Sequence, residues 1–462
     1  MAGKLMDIME FQSRAETGEV IEKSSKFDIK WSRTLRKAAE EFGVKYTPDS
    51  TVISDEIADG VFNAAVKLLA ECGIYHNNTF RVIALTEQEI RDTAEFYNSN
   101  PRVSKFGEGA DRIEYTYRKA FEKKLPILAG GPCGVIGEDW HDPYIRSFVK
   151  EKTNKAMGIT GGIEVIHGHS AKAGTLSEMY AAQWECAEIQ RICREEGRPG
   201  MHQGLLCTAS SAAASFACID DHNPDRRKTW NTQIGIHIIP EMKIDWNAFM
   251  MAKYCQDRGI EPWTSCVSLT GAICRDGAET AIGIVCNALG QLSYGHGGMT
   301  QMFANHLDGT WSDQETQWAV AAATRAFERH VKLPIASVCA GMEPYWRTYA
   351  GIWQAQAMTV SNTINGMGYV WIGGHSGLET RLVGEVMQAT LEVQDPKEAD
   401  ILMNKIFAKR NEETAKHKAS GAGPRHFKDA YDCEKCEPKA ELLEDYNRVK
   451  QELYDMGLKA LK

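Results

Sequence analysis

Between residues 125 and 377 one unit recurs eight times: a short apolar run ending in Gly, His, Cys or Ser, then an amphipathic helix pattern. The runs are LPILAGGPCG (125–134), GIEVIHGHS (162–170), PGMHQGLL (199–206), TQIGIHII (232–239), IEPWTSCVSL (260–269), NALGQLSYGHGG (287–298), LPIASVCAG (333–341) and GYVWIGGHSG (368–377). Helix patterns such as SEMYAAQWECAEIQRICREEG and DQETQWAVAAATRAFERH stand between them. Strands alternating with helices of this length pair in parallel, and eight such units close into a (β/α)8 TIM barrel. An open doubly wound sheet is the competing arrangement, because the third and sixth runs are weak as strands. The chain before and after the repeats is charged and helical, with one hairpin expected near YHNNTFRVIALT. The expected organisation is therefore α/β. A mainly helical N-terminal extension covers 1–120, the barrel 121–395, and a helical C-terminal extension 396–462, with ASGAGPRH (419–426) linking its last two helices.

Net charge is −9 and no dense Lys/Arg block precedes the C-terminal tail, so neither nucleic acid nor an anionic membrane is an expected partner. No uninterrupted apolar run is long enough to span a bilayer, and the first residues carry no apolar core with a cleavage site. Thirteen cysteines scattered through expected helices and strands read as small buried apolar groups of a reduced, cytoplasmic protein.

In such a barrel the reacting groups come from the carboxyl ends of the strands. Six of the thirteen histidines fall in the eight windows. Candidates are His202 and Gln203 in run three, His237 in run four, Tyr294 and His296 in run six, Ser337 in run seven and His375 in run eight. Strand parity puts Gln233, Gly235 and His237 on one face of QIGIHII and three isoleucines on the other, so His237 is expected to point into the barrel. A core histidine bonded to a backbone carbonyl is the plainer alternative for each. HGH at 167–169 puts two imidazoles on one strand face, as in barrel metallohydrolases, but no Asp ends the last strand and no metal is expected. CEKC (433–436) stands alone and reads as two solvent-side thiols. Glu261 and Trp263 sit together where run five begins, and the plainer alternative for Glu261 is a solvated acid in a helix-to-strand turn. GGP (130–132) and GG (373–374) permit close approach to the backbone. No dinucleotide, phosphate-loop or nucleophile-elbow spacing is present.

Several segments are more specific. LLAECGIYHNNTFRVIALTEQEI, PILAGGPCGVIGED, EEGRPGMHQG, GLETRLVGEVMQAT and FKDAYDCEKCEPKAELLEDYNRVKQELYDMGL resemble, in order and almost end to end, the monomethylamine:corrinoid methyltransferase family. The resemblance implies a TIM barrel, a homo-oligomer, and methyl transfer from a small methylated amine to the cobalt of a separate corrinoid protein. It implies no cofactor held tightly by the chain itself. In that family the strand after Gly-Arg-Pro-Gly-Met carries pyrrolysine; here Met201 is followed by His202, Gln203 and Gly204. A family glutamate near strand five matches Glu261, and a second falls near Gly235, two residues before His237. Its Gln and Tyr on strand seven fall near Ile335 and Ser337. The scaffold is kept and most of the special chemistry is missing.

That departure implies a donor already activated, as a quaternary ammonium is. His202, His237 and Glu261 are then the expected catalytic residues. Gln203, Tyr294, His296, Trp263 and Ser337 are the expected substrate contacts, and Trp263, Trp311 and Trp371 offer cation–π faces. Monomethylamine itself as donor, a His-based lyase or hydrolase with or without metal, and a non-catalytic binding protein are the alternatives.

Overall fold

The computed structural model describes residues 5–158, 160–204, 209–339, 343 and 345–461, apart from the side chains at 160, 161 and 266. Leu205 and Leu206 of run three and the end of run seven lie outside the described residues. Eight parallel strands form a barrel wall: Ile127–Gly131, Ala156–Met157, His202–Gln203, Gly235–His237, Trp263–Thr270, Met299–His306, Ile335–Val338 and Tyr369–Gly373. Numbered in chain order, they stand 3-2-1-8-7-6-5-4. A parallel bridge between Gln203 and Thr232 joins strand three to the approach to strand four and closes the ring.

Paired residues followed round the wall from His202 lead through Ala156, Ala129, Trp371, Val338, Phe303 and Val267 to Ile239. That endpoint lies eight residues beyond Asn231, which the closing bridge sets beside His202. A stagger of eight in eight strands is the TIM-barrel geometry. Each step round the wall therefore climbs by about one residue along the barrel axis. The row that begins at the barrel floor with His202 ends near the mouth at Ile239.

Run six is not a strand. Most of NALGQLSYGHGG belongs to the helix Gly277–Gly295, and the sixth strand is Met299–His306. The helix is buried on every side, so its sequence shows no amphipathic period. The N-terminal helix Asp55–Cys72 covers its outer face. The expected hairpin pairs Ile74–His76 with Arg81–Ile83. A second, unexpected hairpin, Val103–Phe106 with Ile113–Thr116, plugs the amino end of the barrel. Its Gly107 N–H donates to Asn231 Oδ1 at 2.7 Å and its Glu108 N–H to the Gly200 carbonyl at 3.1 Å. Thr116 O lies so close to Gly368 that a Cβ there would stand 2.6 Å from it.

Just past strand four, Glu241 is wedged between strand five and the helix Gly277–Gly295. It accepts from Asn287 Nδ2, from Ser268 Oγ at 3.2 Å and from the Leu269 N–H at 3.2 Å. Burial outweighs these donors and raises its pKa from 4.5 to about 7. Between those values the folded chain binds the extra proton, so this group's contribution to stability falls as pH rises and is constant above about 7. The slope is at most about 1.4 kcal/mol per pH unit, roughly 3 kcal/mol in all. Glu241→Gln is expected to remove that fall. Unfolding midpoints measured from pH 4.5 to 8 should diverge from wild type by that pattern; parallel curves would refute it.

Candidate active site

Side chains of the wall alternate between lumen and helix layer. Gln203 faces the helices: Gln190 Nε2 donates to its Oε1 at 3.2 Å and its own Nε2 lies 3.9 Å from Cys193 Sγ. Ile236 packs toward Gly295. The opposite parity, His202 and His237, therefore faces the lumen, as expected for His237.

The floor of the lumen is filled. His202 is fully buried, stacks on Phe106 of the plugging hairpin at 4.2 Å, and its Nδ1 lies 3.0 Å from the Asn231 carbonyl. That carbonyl can only accept, so the hydrogen sits on Nδ1. Burial holds the pKa at about 4, and the ring is neutral at physiological pH. Glu261 lies at the same level, accepting from the Ser104 hydroxyl beside Tyr97 and Tyr115, and burial pushes its carboxyl up. The Gln233 amide is buried here beside His202 and Tyr115.

Nearer the mouth the lumen opens. His237 is solvent-accessible and packs edge-on against Trp263 at 5.2 Å. Its position inside the barrel lowers its pKa below the usual imidazole value, so at physiological pH it too is neutral. The stagger puts His237 level with Phe303 and Gly373. Phe303, Val267, Leu269 and Asn305 are all partly exposed here.

Across the lumen, four strands present glycine at one register. Gly373 pairs with Gly131, and continuing the register past Gly130–Met157 and Met157–Gln203 brings Gly158 and Gly204 into the same row. Trp371 lies on this bare backbone. Its Nε1–H donates to the Gly158 carbonyl at 3.1 Å. A Cβ on Gly158 would stand 1.9 Å from its Cδ1, and one on Gly373 would stand 2.3 Å from its Cζ2. The approach to the backbone that GGP and GG permit is made, in part, by the chain's own indole.

Four expected contacts lie elsewhere. Besides Gln203, Ser337 faces outward and donates to the Met302 carbonyl at 3.0 Å. Tyr294 packs between Phe11 at 5.9 Å and Phe249 at 5.4 Å, outside the wall. His296 Nε2 meets the Met6 carbonyl at 3.1 Å, at the barrel's amino end. Both errors follow from taking a helix end for a strand. Trp311 packs edge-on against Phe303 at 5.5 Å and is buried. His167 and His169 do not share a strand face. They sit at and beyond the turn of a small hairpin, exposed, with His167 Nε2 3.1 Å from Glu138. Among the described residues no three His, Cys, Asp or Glu side chains are grouped to hold a metal. Of the CEKC thiols, Cys436 is buried, with Sγ 3.3 Å from the Pro143 carbonyl, and only Cys433 is partly exposed.

Two mouth anchors carry no local sequence signal. Glu178 accepts five hydrogen bonds of 2.6–2.9 Å from Gly174, Ser210 and Ser211, tying the exit loops of strands two and three together. Glu343, past strand seven, pairs with Arg410 at 2.5 Å, and Arg410 also donates to Ser312 past strand six at 2.8 Å. Both contacts join residues far apart in the chain.

The monomethylamine methyltransferase MtmB family model matches residues 6–458. A monomethylamine methyltransferase of Methanosarcina barkeri is 25% identical over 98% of this chain and 99% of its own length. Another, from Methanosarcina mazei, is 23% identical over the same shares. The crystal structure of the Methanosarcina barkeri enzyme superposes with a TM-score of 0.88 at 22% identity, covering 98% of this chain and 99% of that one. With the family matched across nearly its whole length and the closed barrel in place, this chain belongs to the monomethylamine methyltransferase MtmB family.

Proposed function

We propose that the chain transfers a methyl group from a quaternary or otherwise activated methylated amine to the cobalt of a cognate corrinoid protein seated over the barrel mouth. The observation that carries this reading is the chemistry of the open lumen. Among the described residues its accessible inward-facing strand side chains, His237, Val267, Leu269, Phe303 and Asn305, are neutral, and Trp263, Ser265, Val338 and Trp371 are buried behind them. No lysine stands there to condense with an amine or a carbonyl, and both inward histidines are uncharged. Such a lumen can orient a cation against aromatic faces but offers a primary amine no covalent capture. A quaternary donor needs none. As its C–N bond breaks, nitrogen keeps the electron pair and leaves as a neutral tertiary amine, while the methyl group passes to cobalt as substrate. No proton is required.

In this reading His237 and Trp263 orient the donor, while His202 and Glu261 hold the floor beneath it. Exposed apolar side chains on the mouth loops support a macromolecular partner: Val135 at 65%, Leu176 at 81% and Leu307 at 71% exposure. No helix among the described residues is long and apolar enough to cross a membrane. We read the protein as a cytoplasmic homo-oligomer.

The test is anaerobic methylation of cob(I)alamin, followed by absorbance, with monomethylamine, dimethylamine, choline, glycine betaine, carnitine and tetramethylammonium. Turnover of a quaternary compound without monomethylamine is expected. His237→Ala should lower kcat/KM by about tenfold or more. Turnover of monomethylamine alone would overturn the choice of donor. Unchanged turnover in both His202→Ala and Glu261→Gln would remove the floor from the site.

A further inference from the structure

We propose that the exposed face of the helix Ser24–Glu41, a stripe of Lys26, Lys30, Arg33 and Lys37 beside the barrel mouth, is the surface that receives an acidic face of the corrinoid protein. The inference rests on the corrinoid-partner reading above and names the surface that recognises that partner.

The four cations stand at i, i+4, i+7 and i+11, so they share one side of the helix over roughly 16 Å. All four are exposed, and Arg36 and the 52% exposed Ile29 flank them. From Lys23 to Lys37 the one carboxylate is Asp28, which points away from the stripe and pairs with Lys243 at 2.6 Å. Among the described residues none of the four cations has an ion-pair partner. Like charges one turn apart repel, so the stripe weakens its own helix. Other helices avoid this. Arg14, Arg91, Arg191 and Arg448 each meet an acid one turn away, Glu10, Glu87, Glu195 and Glu452, at 2.8–3.1 Å. Local helix stability does not account for the stripe, whereas a partner of opposite charge does. Its place is a second, independent observation. Ser32 Oγ donates to the Ile273 carbonyl at 3.1 Å, and Ile273 and Lys243 lie just past the carboxyl ends of strands five and four. The helix therefore stands at the rim over which the methyl acceptor has to seat. Net charge is −9, so the chain beyond the stripe repels a bilayer or a nucleic acid, either of which extends past it. A compact protein seated at the mouth meets the stripe alone. That partner arrives unmethylated and leaves methylated at every turnover, and attraction between charges at a hydrated rim acts mainly on the encounter and little on release.

The experiment compares two methyl acceptors: free cob(I)alamin, and the corrinoid protein purified by its acceptance of methyl groups from the wild-type enzyme. The variant carries Lys26→Gln, Lys30→Gln, Arg33→Gln and Lys37→Gln together. At low salt its KM for the corrinoid protein should rise about tenfold or more with kcat unchanged. Transfer to free cobalamin, which docks on no surface, should stay at the wild-type rate. Raising salt to about 0.3 M should bring the wild-type KM up to that of the variant. Fluorescein-labelled poly-L-glutamate should bind wild type and not the variant, and should compete with the corrinoid protein but not with free cobalamin. The substitutions relieve repulsion within the helix, so the variant's Tm should not fall. Should the variant nevertheless fail to fold, the salt dependence of the wild-type KM, present for the protein acceptor and absent for free cobalamin, carries the same comparison. An equal KM for the corrinoid protein in variant and wild type, or a wild-type KM indifferent to salt, would overturn the assignment. Loss of sedimentation with phosphatidylglycerol vesicles, or of binding to single-stranded DNA, at an unchanged KM would overturn it in favour of that polyanion. Wild type that methylates cobalamin, free or protein-bound, from none of the methylated amines would overturn the underlying reading instead.

Discussion

Arg410→Met is expected to be among the most destabilising single substitutions in this chain, costing about 3–5 kcal/mol. Arg410 and Glu343 are 5% and 6% exposed, and their pair at 2.5 Å joins the C-terminal helix Pro396–Ser420 to the exit of strand seven. Burial already pushes the Glu343 carboxyl up, with Arg410 the chief opposing influence. Removing the guanidinium leaves a carboxylate in a site with little water, and Ser312 Oγ loses its donor. Glu343→Gln in the same chain removes the stranded charge and should restore most of the loss. Denaturant unfolding of wild type, both single variants and the double variant measures this as a cycle. A cost below about 1 kcal/mol for Arg410→Met, or a double variant no better than the single, would show that the pair does not behave as a buried one. The activity consequence should follow the fold, since the pair ties three elements at the mouth.

Gly158→Ala is the second substitution with a large expected effect, and it acts mainly on turnover. Gly158 is not among the glycines with positive φ, so the backbone accepts alanine and only space decides the outcome. The new Cβ would meet Trp371 Cδ1 at 1.9 Å and Nε1 at 2.1 Å, well inside contact distance. The indole has to leave its seat. Overpacking of this kind costs about 1–3 kcal/mol, tolerable for a barrel of this size. The displaced ring, however, enters the lumen at the level of His237 and Phe303. Misplacement by about 1 Å near reacting groups costs on the order of a hundredfold in rate, and that is the loss expected in kcat/KM. Trp371→Leu added to Gly158→Ala should return stability without returning activity. Wild-type turnover in Gly158→Ala would mean that the ring sits outside the reacting volume.

These residues also mark how far the sequence could be read. Eight strand–helix units and their closure were legible, because period and spacing are local and a barrel is what eight parallel units form. The inward direction of His237 was legible for the same reason, since parity along QIGIHII needs no partner. The sixth strand was not. Helix Gly277–Gly295 is enclosed by the barrel wall and by helices from the N-terminal extension, so its all-round burial removed the amphipathic period that would have distinguished it from a strand. Tyr294 and His296 followed that error to the outside of the barrel.

The sequence by itself determined the class of fold and the family, because both are written in consecutive letters. Only the tertiary structure decided heights within the barrel. His202 belongs to the floor and His237 to the open lumen, although both stand in strand windows. That difference arises from a stagger of eight accumulated round the whole wall and from a plug made by a hairpin about a hundred residues earlier. The glycine row is of the same kind. Its four members are spread from residue 131 to residue 373, and only strand pairing sets them side by side beneath Trp371. Register is a relation between strands, and no single stretch of the chain contains it.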